Sequence, residues 1–161
     1  MRQKEVPEKT EGYEGFYMLS SQVGTIDEVK ATYIILDHDK AGFEKRKQHF
    51  AALVDQFNQT FDQPRIAVKL YDQYYNMRDI IEKDLSIVEL ALNAYRALGI
   101  EPDVKPFRGG TDGSIITYKG LPTPNIFTGA ENLHGKYEFV SVEGMKQAAQ
   151  VVIEIARMNA E

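Results

Sequence analysis

The sequence predicts a mixed α/β chain in two parts: an α+β portion of β-β-α-β order, then an α/β portion of α-β-α-β-α order. Two observations carry this. Up to about residue 75, short apolar runs rich in β-branched and aromatic residues flank one long stretch of helical period. Beyond about residue 84, segments of helical period alternate with short apolar runs, and the rhythm changes between 75 and 84.

The elements follow in order. Residues 1–11 are a polar segment. Residues 15–21 (GFYMLSS) form a short apolar and aromatic run ended by serine and Gly24, which predicts a strand. Residues 30–37 (KATYIILD) are β-branched and bounded by charge, a second strand. In the stretch after His38, Phe43, Phe50, Leu53, Val54, Phe57 and Phe61 recur at helical spacing, and Asp39 is placed to cap the helix. Residues 65–75 (RIAVKLYDQYY) return to alternation, with Ile66, Val68 and Leu70 on one face. Residues 84–99 predict a helix with an acidic start, a stripe of Ile87, Val88, Ala91, Leu92, Tyr95 and Leu98, and Gly99 as its stop. Short strands are expected at 103–107 (DVKPF) and 123–127 (TPNIF), with a helical segment over 114–120 between them. Ser141 caps a final helix whose apolar face is Met145, Ala148, Ala149, Val152, Ile155 and Ala156. Two parallel strands are too few to stand alone, because a parallel sheet needs cover on both faces and more strands.

Composition narrows the chemistry. The chain has 161 residues, 43% apolar and 27% charged, and a net charge of −5 without a basic stripe. That balance argues against nucleic acid or an anionic membrane surface as the main partner. No apolar run reaches 18 residues, so no membrane span is expected. The polar first residues have no apolar core of a secretory signal, and a cytoplasmic location is the simplest expectation. With zero cysteines, disulfides, thiolate metal sites and a cysteine nucleophile are excluded.

Three places could carry function. In RGGTDGS, adjacent Gly109 and Gly110 follow an apolar run and let backbone approach a ligand; Thr111 and Asp112 would sit at a strand's carboxyl end. A plain strand-to-helix turn capped by Asp112 is the alternative, and no phosphate-loop Lys-Ser/Thr follows. Asn76 and Arg78, after the 65–75 run, could enter a cleft, where an arginine fork suits a carboxylate; an exposed junction is the alternative. His134, beside Gly135 and near Glu131 and Glu138, could be a metal ligand, a base or an idle loop histidine. His38 and His49 read as surface residues, and no serine lies in a Gly-x-Ser-x-Gly elbow.

TEGYEGFY, YYNMRD, IEPDVKPFRGGTDGS, KGLPTPNIFTG and HGKYEFVSVEGM occur here in this order. Together they resemble the C-terminal portion of the peptidase T group of tripeptide aminopeptidases. That group belongs to the two-zinc metallopeptidase family that also holds carboxypeptidase G and aminoacylase. The resemblance runs from about Pro7 to Met158. It implies a partial ferredoxin-like lid, without its first strand and helix, over residues 12–78, and the last part of a zinc-peptidase catalytic domain over 79–161. It implies that His134 is a zinc ligand, that Asn76 and Arg78 grip a short peptide, with Arg78 on its C-terminal carboxylate, and that the turn Arg108–Gly113 lines the cleft. It further implies zinc as cofactor and tripeptides as substrates. A homodimer through the lid is a separate expectation, because a sheet edge left by missing strands invites pairing. Ala130 stands where relatives usually have a second glycine. The family's other zinc ligands and its general base have no counterpart in this stretch, so the chain alone is expected to be inactive. A non-enzymatic dimerisation or peptide-binding module is the alternative.

Overall fold

The computed structural model describes residues 4–160. It is a mixed α/β structure with small antiparallel sheets, and the chain divides into two compact units. The first comprises residues up to Asn76 together with Lys105–Gly110; the second comprises Met77–Val104 and the residues from Thr111 onward.

In the first unit a 3-10 turn at Pro7–Lys9 leads into β1 (Phe16–Gly24), which pairs antiparallel with β2 (Val29–Leu36). The register runs from Phe16 opposite Leu36 to Gly24 opposite Val29 and slips between Leu19 and Ser21, a one-residue bulge. Thr25 closes the connecting loop: its N–H donates to the Glu28 carbonyl, and its hydroxyl accepts from the N–H groups of Asp27 and Glu28. The root of the hairpin is its buried end, at Phe16 and Tyr17; the tip is open, with Val23 74% exposed. Helix α1 (Lys40–Asn58) packs on β2. Asp39 caps it as expected, its carboxylate accepting from Gly42 N–H at 2.6 Å. Phe50 meets the rings of Tyr17 and Tyr33. The helix stops at Asn58, so Phe61 lies beyond it, and Phe57 and Phe61 stay largely exposed.

Arg46 ties this unit together. Its Nε donates to Asp37 at 2.7 Å, Nη1 reaches Glu5 at 3.2 Å, and its guanidinium lies over the Tyr17 ring. Burial opposes its charge, but the two carboxylates outweigh that and raise its pKa. Tyr17, whose hydroxyl donates to the Arg46 carbonyl, is pushed up chiefly by burial.

Residues 65–75 differ from expectation, because no strand ladder forms there. A strand exists only through a neighbour, and here side chains of α1 supply the hydrogen bonds. The Asn58 carboxamide accepts from Arg65 and Ile66 N–H, each at 2.9 Å, and donates to the Ile66 carbonyl at 2.8 Å. Further along, Lys47 holds Asp72 at 2.8 Å, and Phe43 meets Tyr75 edge-on. Ile66, Val68 and Leu70 remain about two-fifths exposed.

The second unit holds α2 (Arg78–Ile81), α3 (Ser86–Ala97), α4 (Asp112–Tyr118), β3 (Ala130–Glu131), β4 (Phe139–Val140) and α5 (Val142–Asn159). Helices α3 and α5 pack together with Ala91, Ala94 and Val151 buried. Alanines at the contact let the two backbones approach. The α3 stripe agrees with expectation at Ile87, Val88, Ala91, Leu92 and Tyr95. Gly99, at φ +71°, ends α3: its N–H donates to the Arg96 carbonyl and Ile100 N–H to that of Tyr95. Ser141 caps α5, accepting from Gly144 N–H.

The α5 stripe is turned from the expected one. Val151 is its buried centre, with Ala148 and Ile155 beside it, while Met145 and Val152 are more than half exposed. Apolar residues lie on two faces of this helix, and α3 covers only one. The strands expected at 103–107 and 123–127 also carry no ladder. Their neighbours are again side chains: Thr123 N–H donates to the buried Thr117 hydroxyl at 2.9 Å and Phe127 N–H to the Tyr95 hydroxyl at 3.1 Å.

Candidate functional site

The residues singled out in the sequence fall in both units. In the first unit Asn76 donates from its side chain to the His38 carbonyl at 3.0 Å. The His38 ring reaches the Phe107 carbonyl with Nε2 at 3.3 Å. A carbonyl only accepts, so Nε2 carries the proton and Nδ1 is the lone-pair nitrogen in the neutral ring. That Nδ1 is buried and has no partner among the described residues. His38 is therefore a half-buried link between Asn76 and the 105–110 segment, not the surface residue expected; His49 is exposed, as expected. Tyr13 packs edge-on against the His38 ring.

Arg108 sits in the same segment. Its Nη2 donates to the Thr10 hydroxyl at 2.5 Å, Nη1 to the Thr10 carbonyl, and its guanidinium lies 5.2 Å from the centre of the Phe16 ring. Its Nε is buried without a partner among the described residues. Gly110 lies under Tyr74: a Cβ there would come within 2.1 Å of the Tyr74 ring. Burial raises the Tyr74 pKa, so its hydroxyl stays protonated at neutral pH.

In the second unit Arg78 opens α2, exposed and ion-paired with Glu82. Thr111, not Asp112, is the N-cap of α4; Asp112 occupies the first turn, where its charge faces the helix N-terminus. The Thr111 hydroxyl makes no cap bond and is buried without a partner among the described residues. Gly113 is confined by the Thr123 carbonyl, 2.7 Å from where a Cβ would stand.

His134 lies in the loop between β3 and β4. Asn132 and His134 both adopt positive φ, +55° and +63°, a conformation that costs a side-chain-bearing residue roughly 1–2 kcal/mol. The Glu138 carboxylate accepts from the His134 backbone N–H at 2.9 Å. The imidazole is exposed and makes no hydrogen bond among the described residues. Gly129, at φ +77°, fixes the loop's start by seating directly on Gly144 in the first turn of α5. Among the described residues no three His, Asp or Glu side chains gather that could hold a metal ion. These residues alone do not fit a zinc pair.

Comparison with known proteins decides the family. The family model described as Peptidase family M20/M25/M40 matches residues 12–158. This chain belongs to that peptidase family. It is 55% identical over 157 residues to Peptidase T of Enterococcus faecalis (strain ATCC 700802 / V583), which covers 98% of this chain and 38% of that protein. Peptidase T of Bacillus subtilis (strain 168) is 52% identical over 153 residues, covering 95% of this chain and 37% of its own. The fold is shared with solved structures: a tripeptidase (SAV1512) from Staphylococcus aureus (TM-score 0.60, 21% identity, 97% of this chain and 42% of that one) and aminopeptidase PepT from Bacillus cereus ATCC 10987 (TM-score 0.61, 17% identity, 99% and 43%). This M20-family chain thus spans under two-fifths of the length of the Peptidase T sequences it matches. No helix among the described residues is long and apolar enough to cross a membrane.

Thr10, His38 and Tyr74 escaped a reading by residue type. Thr10 and Tyr74 do lie within the TEGYEGFY and YYNMRD motifs, and that was the available signal.

Proposed function

We propose that this chain is the C-terminal part of a zinc-dependent tripeptide aminopeptidase, a cytoplasmic enzyme that releases the N-terminal residue from short peptides. The observation that carries the reading is the 55% identity to Peptidase T of Enterococcus faecalis across 98% of the chain. Residues 12–78 are the partial lid and 79–161 the end of the catalytic domain. His134 is one zinc ligand; its ring, unbonded on an exposed loop, is available for that task. When bound, zinc would polarise the scissile carbonyl and activate water, and the residues described here do not complete its ligand set. Arg78 and Asn76 grip the peptide, Arg78 at its carboxylate, and Gly109, Gly110, Thr111 and Asp112 line the cleft with close backbone. Alone, the chain is inactive.

The test is reconstitution. Fused behind the upstream residues of Enterococcus faecalis Peptidase T and loaded with zinc, the chain is expected to cleave trialanine, and His134→Asn to abolish cleavage. A folded, zinc-loaded fusion without activity overturns the proposal.

A second reading, a dimerisation module acting through the lid, is favoured by the open hairpin tip, where Val23 is 74% and Val29 59% exposed. Light scattering tests this second reading: a monomer at all concentrations removes it.

A further inference from the structure

Arg108 is the residue of the RGG turn that charge alone would assign to a substrate carboxylate. Its surroundings assign it elsewhere. Two terminal nitrogens reach one residue, Thr10, at both its carbonyl and its hydroxyl. The Thr10 hydroxyl in turn donates to the Val6 carbonyl at 2.9 Å, so it is used both as acceptor and as donor. The guanidinium face covers Phe16, which is only 6% exposed. One side chain thus fastens the start of β1, the segment before it and the 3-10 turn to the residues just ahead of Gly109 and Gly110.

Within the segment so fastened Lys9 N–H donates to the Val6 carbonyl, Glu14 N–H to that of Glu11 and Glu11 N–H to the Glu14 carboxylate, while Tyr17 N–H returns to the carbonyl of Glu5, whose side chain Arg46 also holds. On the other side, Gly110 is pressed by Tyr74, so the turn is held from two directions. Among the described residues Arg108 has no carboxylate partner, which makes direct capture of a peptide carboxylate the rival to exclude.

We propose that Arg108 is a positioning residue: it clasps Thr10 and Phe16 to the Gly109–Gly110 turn and keeps that turn in its peptide-receiving shape, rather than binding the peptide itself. The second half of this statement rests on the peptide-cleft reading given above; the clasp does not.

Two measurements on the 161-residue chain separate these parts. The first is amide hydrogen exchange. Arg108→Ala is expected to speed exchange at Glu14 and Tyr17 by about tenfold or more, the scale of losing hydrogen bonds to a charged donor. Methylguanidinium should restore protection by filling the vacated place, and Thr10→Val, which removes only the hydroxyl, should give a smaller acceleration at the same amides. Unchanged exchange in Arg108→Ala overturns the clasp. If Arg108→Ala does not fold, Thr10→Val and Arg108→Lys carry the same test: exchange at Glu14 and Tyr17 unchanged in both overturns it.

The second measurement is calorimetric titration with trialanine and with trialanine amide, on wild type and Arg108→Lys. Positioning predicts equal fractional weakening for both peptides, with Thr10→Val weakening both as well. Weakening confined to the free carboxylate overturns the proposal in favour of direct capture. If wild type binds neither peptide, the peptide-cleft reading fails for this chain and the positioning half falls with it, while the exchange result still decides the clasp.

Discussion

Gly129 offers a prediction whose size can be worked from the structure. It adopts φ +77°, and a Cβ there would stand 2.6 Å from the carbonyl carbon and 2.9 Å from the Cα of Gly144. Both obstacles are backbone of the first turn of α5, so neither can swing aside. The left-handed conformation costs an alanine roughly 1–2 kcal/mol. Ordinary carbon contacts lie at about 3.5–4.0 Å, so the loop must also retreat by about 1 Å, an overpacking worth roughly 1–3 kcal/mol. Gly129→Ala is therefore expected to lose about 2–5 kcal/mol. Gly99 supplies the control, because it has a similar φ of +71° in the same unit but nothing within 4 Å of its would-be Cβ. Gly99→Ala should lose only the conformational part, about 1–2 kcal/mol. Urea unfolding followed by far-ultraviolet circular dichroism gives both values. Equal losses for the two variants would refute the reasoning, because the close seat on Gly144 would then contribute nothing.

Other expectations follow from the same contacts. Val151→Ala, at the fully buried centre of the α3–α5 contact, should lower stability by about 2 kcal/mol in the same titration, since two buried methyl groups disappear and α3 cannot fully close the gap. Arg46→Met should cost about 3 kcal/mol, because Asp37, with a side chain only 11% exposed, is left without its counter-charge. Hydrogen bonds from Lys47 and then Tyr75 hold the Asp72 carboxyl below the usual carboxylate range. A lowered folded-state pKa means the unfolded chain takes up protons first, so this contribution is complete above the ordinary carboxylate pKa and is lost as pH falls through the folded value. Asp72→Asn should flatten that acid limb of the stability profile, measured by urea midpoints at successive pH. His134→Asn should leave the unfolding free energy from urea titration within about 0.5 kcal/mol of wild type, since asparagine tolerates positive φ and the ring makes no hydrogen bond among the described residues.

Local signals were legible in the sequence, and non-local ones were not. Asp39, Ser141 and Gly99 act on groups within a few residues, and each does in the structure what its type suggests. The runs at 65–75 and 123–127 have strand composition, yet pairing depends on what lies alongside. There Asn58, Thr117 and Tyr95 stand in the neighbour's place. The α5 face was misjudged because apolar residues cover more of its circumference than α3 buries. The family motifs drew attention to Arg108, but its partner Thr10 is 98 residues away in sequence, beyond any spacing rule. His38 looked like a surface residue because its only sequence context is two aspartates; its carbonyl and ring serve residues 38 and 69 positions downstream.

The backbone passes between the two units three times, after Asn76, after Val104 and after Gly110. No single cut can therefore yield both units intact. A piece ending at Asn76 keeps β1, β2 and α1 but lacks the excursion Lys105–Gly110, and with it the carbonyl that engages His38 and the guanidinium that engages Thr10. A piece beginning at Met77 carries that excursion as an orphan. Isolating the second unit calls for a short linker from Val104 to Thr111, and isolating the first calls for the excursion to be returned as a tethered peptide. Dissection at the obvious junction would misreport the stability of both halves.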